Sequence, residues 1–150
     1  MPALFAFLHH IAAFALVAAI AVELVLVTLP ATPTGIRRLA VTDLFVGLSA
    51  IVLFVVGLVR VFLLEKGPGF YFSDGPFLIK LVAFLALGVL SVLPTREFVA
   101  WRRELANGNV PSPGRRRRGR VRNILLVQTG ALIVIILCSA LMADGIGRFG

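Results

Sequence analysis

A chain of 150 residues that is 59% hydrophobic and 15% charged, with a mean hydropathy of +1.01, carries more apolar sequence in long runs than a soluble domain has interior to bury. It is an integral membrane protein with no room for a separate soluble domain, and its single cysteine, Cys138, excludes an intrachain disulfide and reads as a small packing residue. The net charge of +8 would suit nucleic acid, but the excess sits in Arg115-Arg116-Arg117-Arg118-Gly119-Arg120 and Arg122 without interleaved aromatic residues. That run is expected to set topology or to touch anionic lipid, and no nucleic-acid partner is expected.

The first apolar run covers residues 3–29, about 40 Å of helix at ~1.5 Å per residue, enough to cross a ~30 Å hydrocarbon core with some tilt. With no Lys or Arg before it and Glu23 inside it, it reads as a retained helix and not a cleaved signal. Pro30, Pro33 and Gly35 end it, and a connection over 31–40 carries Arg37 and Arg38. A second span over 41–64 is closed by Lys66-Gly67-Pro68-Gly69. In the loop Gly69-Phe70-Tyr71-Phe72-Ser73-Asp74-Gly75 the aromatic cluster suits a headgroup interface, and Asp74-Gly75 before Pro76 suits a turn that starts a helix. The third span covers 76–100, is expected to kink at Pro94, and meets the opposite interface at Trp101. A polar connection over 102–123, mobile in its middle, leads to a fourth span over 124–142.

The expected architecture is an all-α integral membrane protein, a four-transmembrane-helix bundle forming one domain over residues 1–150. An even number of spans puts both termini on one side. Basic residues gather in the connections between spans one and two and between spans three and four, so both termini face away from the cytoplasm, in what is expected to be a bacterial inner membrane.

Helical rise sorts the intramembrane ionisable groups by depth. His9 and His10 on span one, Arg60 on span two and Lys80 on span three all fall within one to two turns of the outer face. Either the cations snorkel to headgroups and the histidines are interfacial, or the three helices build a polar pocket open to the outer side. In that pocket Arg60 and Lys80 hold an anion and a histidine supplies a ligand or a proton. Tyr71 is either an aromatic-belt residue or part of the pocket, and Tyr71, Asp74 and Asp144 are at the depth to neutralise the cations. Toward the inner face lie Glu23 and Asp43, expected to pair with Arg37, Arg38 or Arg96. His9 and Glu23 stand nearly a whole number of turns apart, which aims both at the bundle interior.

Adjacent histidines on a helix point ~100° apart, so His9 and His10 are not the two trans ligands of one iron. One of them can be an axial haem ligand, with cations at its level for propionates and the sixth position open, filled by another side chain or supplied by another protomer.

Leu8-His9-His10, Gly57-Leu58-Val59-Arg60, Gly69-Phe70-Tyr71, Pro76-Phe77-Leu78-Ile79-Lys80-Leu81 and Ser91-Val92-Leu93-Pro94-Thr95 together resemble a bacterial family of four-span membrane proteins of unknown function. That family is similar to the superfamily of the copper-resistance protein D domain and the HemJ-type protoporphyrinogen oxidase, and the resemblance covers essentially the whole chain. HemJ-type proteins share a histidine in the first span and a lysine at the start of a later one, and they bind haem b. The resemblance thus implies a haem or porphyrin site, with His9 (or His10) as iron ligand and Lys80 beside it.

Two functions follow as expectations. One is an inner-membrane protein binding haem b or another anionic tetrapyrrole in a redox role, a HemJ-like oxidoreductase, with contacts from His9, His10, Arg60, Tyr71 and Lys80. The other is a non-enzymatic assembly or transporter-like component without a cofactor, forming a homo-oligomer through small residues at Gly47, Ala50, Gly57, Gly130 and Ala131.

Overall fold

The computed structural model describes residues 2–64 and 67–147. Helix α1 spans Pro2–Thr28, and α2 spans Pro33–Val59 and runs on as a π-helical turn, Arg60–Leu64. A short α3, Pro68–Phe72, leads to α4, Gly75–Ala106, and α5 spans Arg115–Ala143. Helices α1, α2 with its π-helical turn, α4 and α5 are long and apolar enough to cross a membrane, and the protein is a multi-pass membrane protein.

Three helices run beyond the limits that hydropathy suggests. Helix α2 starts at Pro33 because Thr32 caps it, the hydroxyl accepting from Gly35 N at 3.1 Å, and because proline in a first turn lacks only an N–H that would be unpaired anyway. The proline read as a stop is a start. Helix α4 passes through buried Pro94 without interruption and continues to Ala106. Helix α5 is helical from Arg115, so the basic run expected in a mobile connection is its first two turns and the connection shrinks to 107–114. Nothing obliges a helix to stop where hydrocarbon stops: the 32 residues of α4 measure about 48 Å.

Helices α1 and α2 pack side by side, as do α4 and α5, and contacts of α1 with α5 and of α2 with α4 close a ring in which α1 and α4 stand diagonally. Neighbours run antiparallel. One end of the ring, here the histidine end, carries His9, Arg60 and Lys80; the other, the arginine end, carries Arg37, Arg38 and the start of α5.

Two apolar clusters fill the ring. That toward the histidine end includes Leu16, Ile20, Val46, Leu87 and Leu132; that at the arginine end includes Val27, Leu39, Phe98, Trp101 and Leu125. Trp101 is therefore a core residue, 2% exposed and edge-on to Phe98 at 5.5 Å, and not the interface marker that its place after an apolar run suggests. Because α4 continues past it, the indole stays inside the bundle. Cys138 is buried and unbonded, a packing residue. Large side chains such as Phe14, Ile51, Leu63 and Val89 point outward, as a lipid-facing surface requires.

Polar contacts fasten the helix ends. Arg118 reaches from α5 to the last carbonyls of α1, donating to Val27 O from Nε at 3.2 Å and from Nη2 at 2.9 Å, and from Nη2 to Leu29 O. One guanidinium thereby satisfies acceptors that a helix C-terminus leaves open and places positive charge at the negative end of its dipole. Arg117 donates to Glu97 at 2.6 Å and ties α5 to α4, so two arginines of the basic run have structural work inside the fold.

At the histidine end Asp74 caps α4, accepting from Phe77 N at 2.9 Å, and Gly75 N donates to Gly147 O at 3.1 Å from the tail folded back over it. Gly147 has a φ of 92°, and a Cβ there would lie 2.7 Å from Pro76 Cδ. Gly147→Val should detach this tail: proteolysis beyond Ala143 should become faster while the four spans stay assembled. Unchanged cleavage would show that the contact holds nothing.

Candidate functional site

Helix α1 turns His9 into the ring. Its Nδ1 is closed off from solvent with no hydrogen-bond partner, and its Cε1 lies 3.7 Å from where a Cβ on Gly57 of α2 would stand. The glycine lets the imidazole approach the α2 backbone. His10 points elsewhere: it is exposed, its Nδ1 hydrogen-bonded with Ala6 O at 2.6 Å, its ring edge-on to that of His9 at 6.3 Å.

Lys80 and Arg60, from α4 and α2, are close enough to act electrostatically on His9. Arg60 opens the π-helical turn, a wide turn that recurs at functional sites and changes the direction in which α2 presents its last side chains. Tyr71 on α3 is half-buried in an aromatic cluster, tilted against Phe77 at 5.2 Å and edge-on to Phe70 at 5.4 Å. Groups from α2 and α4 thus converge on His9, whereas His10 lies on the outside of the ring and Tyr71 is placed with the aromatic residues of α3 and α4.

A second polar layer crosses the bundle between the two apolar clusters, and each long helix supplies it. Glu23 lies between Ile20 and Val27 on α1, Asp43 between Leu39 and Val46 on α2, Ser91 and Thr95 between Leu87 and Phe98 on α4, and Gln128 between Leu125 and Leu132 on α5. Thr95 Oγ1 donates to Asp43 Oδ1 at 2.7 Å. Gln128 Nε2 donates to Ser91 Oγ at 2.7 Å and to Leu87 O at 3.3 Å. Glu23 is 2% exposed, its Oε1 has no partner, and Asp43 is the charged group that acts on it.

The pairing of Glu23 and Asp43 with Arg37, Arg38 or Arg96 does not form. All three arginines are exposed, their long side chains free to run toward water at the arginine end.

Over residues 1–147 the sequence matches the family described as Predicted membrane protein (DUF2214). The chain belongs to this family. No curated protein and no solved structure matches it. DUF2214 is a domain of unknown function, so the match gives a membrane architecture and brings no link to copper-resistance protein D or to HemJ-type proteins.

In this DUF2214 chain two cavities lie toward the arginine end. One, of about 130 Å³, is bounded by Val27, Arg38, Leu39, Trp101 and Arg118. The other, an open groove of about 510 Å³, runs among Leu90, Arg116, Arg120, Ile124 and Val127. Neither touches the His9 layer, and the outward-opening pocket expected there is not among them. What that layer offers is charge and a buried nitrogen. No group of three or more His, Cys, Asp or Glu among the described residues is placed to hold a metal ion.

Sequence reading passes over Gln128 and notes Ser91 and Thr95 only as part of a motif, with no polar role. The available signal is at least one hydrogen-bonding side chain per span at matching depth, which a search for charges alone does not register.

Proposed function

We propose that the histidine end binds an amphipathic anion of the tetrapyrrole class, haem b being the member to test first. Arg60 and Lys80 take its carboxylates and His9 faces its centre. One observation carries this reading: His9 Nδ1 is a buried imidazole nitrogen without a partner, set where positive groups of two other helices converge. His9 suits iron better than His10, whose ring is exposed on the outside of the bundle. When bound, haem b would supply one-electron redox chemistry. The histidine end faces away from the cytoplasm of a bacterium in this reading, since the arginine end satisfies the positive-inside rule. Arg116 and Arg120, beside the apolar wall of Leu90, Ile124 and Val127, then meet anionic headgroups of the inner leaflet.

Wild-type protein purified from membranes supplied with haem b is expected to show a Soret band. His9→Ala should abolish it and His10→Ala should keep it. Lys80→Gln should weaken binding about tenfold, the loss of one charge-assisted contact. A colourless wild type after haem supplementation overturns the proposal and leaves the cofactor-free assembly or transporter role.

A further inference from the structure

We propose that Glu23 and Asp43 form an exchangeable proton-binding site in the layer between the two apolar clusters. Glu23 is 2% exposed with Oε1 unbonded, and apolar clusters lie on both sides of it along the bundle. A carboxylate left charged in such a place costs several kcal/mol unless a positive group offsets it.

The neighbouring helices do not provide that group. From α2 comes Asp43, a second acid, while Arg37 and Arg38 are exposed nearer the arginine end. From α4 comes the Thr95 hydroxyl, which donates to Asp43, and Arg96 is exposed. From α5 comes the Gln128 amide, engaged with Ser91 and Leu87 O, and farther along the Arg118 guanidinium, engaged with Val27 O and Leu29 O. Among the described residues no positive group offsets Glu23, so the site calls for a positively charged occupant.

A proton meets that need with the atoms present. Hard metal cations want six or more oxygens, and no three-ligand group occurs among the described residues. A proton needs only the unbonded Oε1 and has Asp43 as the neighbouring acceptor. The 130 Å³ cavity stops about one helical turn short of the layer, since its walls include Val27 and Leu39, one turn from Glu23 and Asp43 respectively, which makes the arginine end the nearer side for exchange.

None of these groups belongs to the histidine-end site, and the test uses no haem. Infrared spectra of the full chain in lipid at neutral pH should show the carbonyl stretch of a protonated carboxyl in apolar surroundings, shifting on transfer to D2O. Glu23→Gln should remove that band, and Asp43→Asn should move its frequency, because the neighbouring charge is lost. The proposal is overturned if the wild type lacks the band, if the band persists in Glu23→Gln, or if adding Na⁺ at fixed pH erases it, which would make the occupant a metal cation. Should Glu23→Gln fail to assemble, identical bands in the wild type and Asp43→Asn would overturn the proposal in the same way.

Discussion

Replacing Phe98 by alanine should lower the stability of the bundle by about 3–5 kcal/mol, the range for removing a large ring from a packed core. Phe98 is 1% exposed and belongs to a cluster to which every long helix contributes: Val27 from α1, Leu39 from α2, Trp101 from its own α4 and Leu125 from α5. In lipid the gain from burying apolar surface against protein and not acyl chains is small, so close packing and its dispersion contacts hold such a cluster together. A void beside Trp101 forfeits those contacts on all sides at once. Unfolding in mixed micelles of increasing anionic-detergent content measures the loss. A change under about 1 kcal/mol would mean that the helices close the gap, and that this cluster does not fasten the arginine end.

Arg118→Ala should cost about 2 kcal/mol, because it leaves the Val27 and Leu29 carbonyls without their donor and removes a cation from the negative end of α1. Lysine can reach one carbonyl but lacks the planar fork that lets Nε and Nη2 share Val27 O, so Arg118→Lys should recover about half. Arg116→Ala, at an exposed position, should leave stability unchanged within about 0.5 kcal/mol. Equal losses in Arg116→Ala and Arg118→Ala would show that overall charge matters here and not the cap.

The contrast between those two arginines shows where sequence reading stops. Hydropathy finds the four spans because ~20 apolar residues in succession have few other homes. It misplaces their ends, since the capping hydroxyl of Thr32 and the helical start at Arg115 lie in polar sequence where hydrophobicity carries no information. Arg118 looks like its neighbours in the run, and only the packing of α5 against α1 selects it. Trp101 misleads for a related reason. An aromatic residue after an apolar stretch suits a headgroup interface, but whether its face turns inward depends on rotation about α4, which Phe98 and the cluster around it decide.

Depth was legible for the ionisable groups; partners were not. Rise per residue puts His9, Arg60 and Lys80 at one level, and Glu23 near Asp43. It does not reveal that His10 turns outward with its Nδ1 bonded with Ala6 O, or that Asp43 takes its hydrogen bond from Thr95 and no arginine. Nor does it reveal that hydrogen bonds link the second layer from α2 through α4 to α5 and leave Glu23 Oε1 unbonded. In the fold, the bundle is apolar in two blocks with one polar seam between them, and a basic cluster with a buried imidazole at one end.

The histidine-end reading is tested most directly by titrating purified wild type, His9→Ala and Lys80→Gln with haem b and, separately, with iron-free protoporphyrin. Both ligands should bind the wild type, haem b more tightly. Lys80→Gln should weaken both, and His9→Ala should bring haem b down to the affinity of the iron-free ring. Equal uptake of both ligands by all three proteins would mean simple partition into the apolar surface and would contradict a site built around His9.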